Sequence, residues 1–181
     1  KQMRNVVLAG HGGAGKTSLA EAMLFKAGAV KRFGKIEEGN TAMDFQPEEV
    51  KKQQSVSSAF HKFSWKKHSV TLMDTPGDQN FFSAAKTCMP AADGVILVID
   101  GVSGPAAITE EAAACVRADK LPSVLFINKL DRERSDFQAA VDASTQALKL
   151  KTVITHLPIG TEENFKGVVD IIANRAYLYD D

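Results

Sequence analysis

Three short runs in this chain are almost wholly apolar and show no alternation: 6–9 (VVLA), 94–99 (GVILVI) and 123–127 (SVLFI). Continuous runs of this length, bounded by turn residues, predict strands buried on both faces, as in a parallel sheet. Between them the period changes to three and four. Leu19, Ala20, Met23, Leu24 and Ala27 recur at that spacing and predict a helix over 16–26. Further helices are expected over 80–89, over the alanine-rich 107–117 and over 136–148. In the last, Phe137, Ala140, Val141, Ser144 and Leu148 share a face and Asp136 stands where an N-cap belongs. Strands alternating with helices predict an α/β domain with a mostly parallel sheet.

Two regions break that rhythm. Residues 28–55 carry scattered apolar positions without a period and read as a long loop, which in a compact domain is usually functional. Residues 56–73 read as a hairpin with Lys67-His68 near its turn. From 152 onward the pattern turns strand-like again, over 153–158, 167–170 and 176–179. No closing helix follows, so the chain is expected to stop part-way through a larger protein.

Composition narrows the class. The 181 residues are 44% hydrophobic, with 22 Lys+Arg against 22 Asp+Glu. That predicts one globular domain and the start of a second, and it excludes a disordered or generally basic chain. The longest clean apolar run, 95–99, is far short of the ~20 residues a bilayer span needs. The first residues lack the apolar core of a secretory signal. Cys88 and Cys115 show no CxxC or histidine-paired spacing and read as reduced thiols.

The chemistry starts at the end of the first run. Gly10-His11-Gly12-Gly13-Ala14-Gly15-Lys16-Thr17 satisfies G-x-x-x-x-G-K-[ST] between an expected strand and an expected helix. Glycines let backbone N–H groups turn toward phosphate oxygens, and the helix N-terminus adds partial positive charge. Lys16 would neutralise the β- and γ-phosphates, and the Thr17 hydroxyl would bind Mg²⁺. Ser18 follows inside the same turn. Gly10, Gly12 and Gly15 also fit the dinucleotide fingerprint G-x-G-x-x-G. That reading needs a strand ending in an acid about 20 residues on. Glu37 and Glu38 stand near there, but 30–36 makes a poor strand and Lys16-Thr17 would have no role.

Two further motifs each close a predicted strand. Asp74-Thr75-Pro76-Gly77 follows 70–73; its aspartate suits a water of the Mg²⁺ shell and its glycine amide can approach a γ-phosphate. Asn128-Lys129-Leu130-Asp131 follows 123–127. The Asp131 carboxylate can accept from the N1–H and 2-amino group of guanine. Adenine offers no such pair, so GTP is expected over ATP. The Lys129 stem can cover the base face.

On these three motifs the sequence resembles the translational GTPases, in particular the N-terminal G domain of the elongation factor G family. Residues 34–39 with Met43-Asp44 are similar to that family's first switch segment. Leu157-Pro158-Ile159-Gly160, then 165–170 with Ala176-Tyr177, resemble the entry to its inserted subdomain. The resemblance implies a three-layer P-loop NTPase fold, with a GTP-binding domain over 1–151 and a truncated inserted subdomain over 152–181. It implies GTP/GDP and Mg²⁺ as ligands and hydrolysis on the ribosome, through contacts of the full-length protein with ribosomal RNA. It further implies a cytoplasmic monomer with no DNA or membrane partner. Site residues carry over by position. Residues 10–18, Asp74, Thr75, Pro76, Gly77, Asn128, Lys129 and Asp131 would hold nucleotide. Thr17, Asp74 and Ser55 would serve Mg²⁺, Ser55 standing for the family's switch threonine with Ser57 as fallback. Lys16, Gly77 and Asp78 would line the reacting phosphate.

Departures from the family pattern are equally specific. Asp78 replaces the histidine of D-T-P-G-H; a carboxylate there would be repelled by the γ-phosphate, so slow hydrolysis is expected unless Gln79 positions the water. A GTP-dependent ribosome-binding switch with weak or no hydrolysis is therefore the alternative. Gly10 and Gly13 replace an alanine and an aspartate, and Gln53-Gln54-Ser55 replaces G-I-T. The family's Ser-Ala guanine motif has no counterpart after Leu130, which predicts weak nucleotide affinity for this piece alone. Lys51, Lys52, Lys62, Lys66 and Lys67 interleave with Phe60, Phe63 and Trp65 and read as a solvated hairpin with one apolar face, RNA contact following only from the resemblance.

Overall fold

Strand β1 (Gln2–Ala9) lies at the centre of a five-stranded sheet, between β3 (His68–Asp74) and β4 (Gly94–Asp100), parallel to both. The computed structural model describes residues 2–179, so Lys1, Asp180 and Asp181 lie outside the described residues. β2 (Ala59–Trp65) pairs antiparallel with β3, and β5 (Ser123–Asn128) pairs parallel with β4, giving the order β2-β3-β1-β4-β5. The expected mostly parallel sheet is present. A second sheet, all antiparallel, holds β6 (His156–Ile159), β7 (Gly167–Asp170) and β8 (Arg175–Leu178).

Successive buried residues of the inner strands feed opposite faces, which is why these runs carry no polar alternation. Leu8 and Leu72 pack with Ala20 and Leu24 of α1 (Lys16–Lys26) and with Met43. Val7, Ala9, Val95, Leu97 and Ile99 pack on the other face against Ala112, Ala113 and Val116 of α4 (Ala107–Ala118). α2 (Pro47–Lys52) and α3 (Phe82–Cys88) are short. α5 (Phe137–Leu148) buries Ala140, Val141, Ser144 and Leu148 as its pattern predicts, and Asp136 caps it by accepting from the Ala139 N–H at 2.9 Å.

Several sequence expectations shift. Residues 123–127 do not form a strand buried on both faces: Val124 and Phe126 are exposed, because β5 is an edge strand among the described residues. The long loop 28–55 contains a 3-10 turn, Ile36–Glu38, and the helix α2. No strand lies between α1 and Glu37-Glu38, which removes the dinucleotide reading. The hairpin turns at Lys66-Lys67, with Trp65 opposite His68 and Lys66 at φ +51°. Phe60 and Phe63, three residues apart, point to opposite faces; Phe63 is buried and Phe60 exposed, so the three aromatics do not form one face. The helix expected over 80–89 divides into a 3-10 turn (Gln79–Phe81), α3 and a second 3-10 turn (Met89–Ala91) containing Pro90, which lacks the N–H an α-helix needs. The strands expected at 153–158 and 176–179 form at His156–Ile159 and Arg175–Leu178.

Parallel strands end on the same edge. The loops after β1, β3, β4 and β5 therefore share one rim, where open α/β sheets bind ligands.

Candidate nucleotide-binding site

The loop after β1 turns directly into α1. Gly13 and Gly15 hold left-handed backbone, φ +79° and +96°. A Cβ on Gly15 would also collide with the Asn128 side-chain nitrogen. Lys16 is buried, and its Nζ donates to the His11 carbonyl at 2.9 Å. Burial pushes this ammonium down, and Asp74 and Asp44 pull it partly back. A desolvated cation at a helix N-terminus is an anion site. His11 Nδ1 donates to the Gly12 carbonyl at 2.6 Å, while its Nε2 is buried and has no partner among the described residues. Gly12, Gly13 and Ser18 are exposed on the rim, Ala14 is buried beneath it, and Gly10 lies against the Val98 carbonyl.

Beside the lysine stands a cluster of hard oxygens. The Thr17 hydroxyl donates to Asp74 Oδ2 at 2.6 Å and lies 3.3 Å from the Ser55 hydroxyl, which donates to Asp44 Oδ1 at 2.7 Å. The three residues assigned to Mg²⁺ are thus together, although Ser55 comes from the aperiodic loop. Asp74 Oδ1 is buried and has no partner among the described residues. Burial pushes Asp74 up to about 7, against the opposing pull of the Thr17 hydroxyl and Lys16. Burial likewise raises Asp44. Two hydroxyls, a carboxylate and an unpartnered carboxylate oxygen suit a hard divalent cation. Asp44 lies in the segment that resembles the family's first switch, but its sequence position assigns it no role; the fold brings it to Ser55.

The loop after β3 packs onto the phosphate loop. The Gly12 N–H donates to the Gly77 carbonyl at 2.8 Å, and a Cβ on Gly77 would collide with both Gly12 N and Lys16 Nζ. Thr75 is fully buried, and its hydroxyl donates to the Leu8 carbonyl at 2.6 Å, so this side chain anchors the loop to β1. Pro76 is buried beside it. Asp78 caps the following turn, accepting from the Asn80 N–H at 2.8 Å and side-chain amide at 2.9 Å; its other oxygen accepts from Gln54 at 3.3 Å. The Asn80 and Gln54 donors hold it below the usual carboxylate range. The Gln79 side chain donates to Glu111 of α4 instead of turning to the phosphate loop.

After β5, the Asn128 amide donates to the Ala14 carbonyl at 2.9 Å and so joins this loop to the phosphate loop. Lys129, at φ +61°, sends Nζ to Asp100 Oδ2 at 2.8 Å. Burial would raise Asp100, but the Lys129 bond and the Val102 and Ser103 amides hold it below the usual range. Asp131 is exposed, and its ion pair among the described residues is to Arg132 at 3.9 Å. Sequence reasoning misses Asp100, at the end of β4; an aspartate closing a buried strand was the available signal.

The model of the elongation factor Tu GTP-binding domain matches residues 1–176. This chain belongs to that GTP-binding domain family. It is 34% identical over 180 residues to elongation factor G of Mycoplasma genitalium, covering 99% of this chain and 26% of that protein. Elongation factor G of Gluconobacter oxydans is 35% identical with the same shares. The mitochondrial ribosome-releasing factor 2 of Pongo abelii is 32% identical, covering 99% of this chain and 23% of that factor. A crystal structure of a Thermus thermophilus protein superposes with a TM-score of 0.92 at 30% identity, over 99% of this chain and 27% of that one. The chain spans about a quarter of the length of these relatives.

Two buried acids that sequence reasoning passes over hold the aperiodic loop of this GTP-binding domain in place. Glu21 of α1 accepts from the Ala42 and Met43 N–H groups at 2.6 and 3.0 Å. A lone acid between Ala20 and Leu24 on the apolar face was its signal. Glu49 accepts from the Val56 N–H at 3.0 Å, from the Ser57 N–H and hydroxyl at 3.2 Å and from the Gln46 N–H at 3.3 Å. Its signal was a helix-start pattern, an acid three residues after Gln46 with Pro47 between. Replacing Glu49 by Ala is expected to lower stability by about 2 kcal/mol. It should also speed hydrogen exchange at Val56 and Ser57, read by urea unfolding and exchange mass spectrometry.

Proposed function

We propose that this chain is the GTP-binding and GTP-hydrolysing module of an elongation-factor-G-like translation factor, converting GTP to GDP and phosphate on the ribosome. The observation that carries the reading is the Asn128–Ala14 hydrogen bond, which sets a guanine-type loop against the phosphate loop. Residues 1–151 are the GTP-binding domain and the second sheet, from 156 on, begins an insertion; their separate hydrogen-bonded sheets support that division.

Lys16 and the amides of residues 12–17 would bind the phosphates. Thr17, Ser55 and Asp74 would hold Mg²⁺, with Asp44 orienting Ser55. When bound, the ion neutralises charge on the phosphate oxygens. Gly77, pressed against Gly12 and Lys16, stands where its amide could follow the γ-phosphate. Asp78, occupied as a turn cap, leaves no histidine to orient water, so unstimulated hydrolysis is expected to be slow. The pinned Lys129 head leaves its stem free to cover the base. Ribosomal partnership rests on the relatives, which are named as elongation factors and a ribosome-releasing factor. No helix among the described residues is long and apolar enough to cross a membrane, and a cytoplasmic monomer is part of the proposal.

Asp131 tests the nucleotide reading. An asparagine there offers one donor and one acceptor, which match xanthine better than guanine. Asp131→Asn is expected to weaken GDP binding about 10- to 100-fold and improve xanthosine diphosphate binding, read by competition against a fluorescent GDP analogue. Unchanged GDP affinity would refute guanine recognition by Asp131.

A further inference from the structure

The loop that carries Asp131 is held from outside the first sheet. Asp131 is exposed, and its one ion pair among the described residues is a 3.9 Å approach to the exposed Arg132, so its own contacts do not fix where its carboxylate points. The turn around it is bracketed by one residue from the start of the second sheet. The Glu162 N–H donates to the Leu130 carbonyl at 3.0 Å, and Glu162 Oε1 accepts from the Arg134 N–H at 2.7 Å. The Ser135 hydroxyl adds a second donor to the same Leu130 carbonyl at 2.8 Å. Both ends of the segment 130–134 are therefore pinned, with Asp131 between the pins.

Glu162 is itself rigidly placed. It opens a 3-10 turn, Glu162–Asn164, closed by Phe165 N–H to the Glu162 carbonyl at 2.9 Å. Gly160 before it sits at φ +81°, where a Cβ would collide with the Asn164 carbonyl. The Lys166 N–H returns to the Ile159 carbonyl at 2.8 Å, tying the turn between β6 and β7. On the loop side, Lys129 and Arg134 both adopt left-handed backbone, φ +61° and +66°, which costs free energy that the pins offset.

We infer that Glu162 is a positioning residue for guanine selectivity: through Leu130 and Arg134 it sets the Asp131 carboxylate against the base edge, so the second sheet tunes which nucleotide the first sheet accepts. The inference rests on the guanine-nucleotide reading above. Asp131 would accept from both N1–H and the 2-amino group of guanine. Hypoxanthine lacks the 2-amino group, so the ratio of GDP to inosine diphosphate affinity reports how well Asp131 is placed. A general loss of stability would move both affinities together.

The test measures that ratio by competition titration for the wild type, Glu162→Ala, Glu162→Gln, Asp131→Ala and the double variant of Glu162→Ala with Asp131→Ala. Glu162→Ala is expected to lower the ratio about fivefold, the scale of a partly lost charge-assisted hydrogen bond. Glu162→Gln keeps an acceptor for the Arg134 N–H and should restore most of it. In the Asp131→Ala background, Glu162→Ala should change the ratio no further. A ratio unmoved by Glu162→Ala, or lowered as much again without Asp131, overturns the inference while leaving the guanine reading standing. A wild type that does not prefer GDP to inosine diphosphate overturns both.

Discussion

Lys16→Met is expected to cut GDP and GTP affinity about 100- to 1000-fold with little loss of fold. Methionine keeps the length and packing of the stem, so the change removes the charge and its donors. In the native chain Lys16, the first residue of α1, is only 6% exposed. Water therefore screens it poorly, and each hydrogen bond it makes to a phosphate is worth about 1.5–3 kcal/mol. Two such bonds account for the expected loss, at about 1.4 kcal/mol per tenfold. The neighbours work in the same direction. Asp74 and Asp44 supply negative charge that Lys16 offsets; without it they face the incoming phosphates uncompensated. Titration with a fluorescent GDP analogue, with circular dichroism as a check of folding, reads the result. A loss smaller than tenfold would mean that the backbone amides carry the phosphates without the lysine.

Asp74→Asn is expected to flatten the pH dependence of stability of the nucleotide-free, metal-free protein. Burial pushes the Asp74 carboxyl up to about 7, from an ordinary 3.8. Between those values the native state keeps a proton that the unfolded chain releases. Stability therefore falls as pH rises through that window, by about 4 kcal/mol at most. Asparagine keeps the shape and never ionises, so the variant should be the more stable protein at pH 8 and nearly the equal of wild type at pH 4. Asp44, also raised by burial, leaves a slope of the same sign in both proteins. Urea unfolding from pH 4 to 8 in chelator gives the comparison. Equal slopes in the two proteins would show that Asp74 is ionised throughout. The same variant should lose the Mg²⁺-dependent part of GTP affinity, because an amide supplies no charge to the ion.

Both effects arise from chemistry that the sequence showed as separate words. G-x-x-x-x-G-K-[ST], D-x-x-G and N-K-x-D were legible because each needs fixed residues at short spacing within one loop. The inner strands were legible because two-sided burial removes polar positions. Helix α5 was legible because its cap and its apolar face agree. The short elements were not: α2 and the 3-10 turns at 36–38 and 79–81 are too brief to show a period, and their ends are set by caps and contacts. The edge position of β5 was illegible too, since an apolar run does not reveal whether a helix covers its second face.

The sequence by itself determined the fold class, the phosphate-loop motif and the residue types proposed to meet a guanine nucleotide, because local spacing dictates local geometry. Tertiary structure alone decided who stands beside whom. Asp44 reaches Ser55, Asp100 takes the Lys129 ammonium, and Glu49 collects donors from its own loop. Thr75 turns inward onto Leu8, Asp78 becomes a turn cap, and Glu162 holds the ends of the Asp131 turn. Most of these are contacts of charged or polar groups over separations at which sequence carries no periodic signal. They form because parallel strands deliver their loops to one rim, where an unpaired buried carboxylate or amide would cost more than an apolar contact can return.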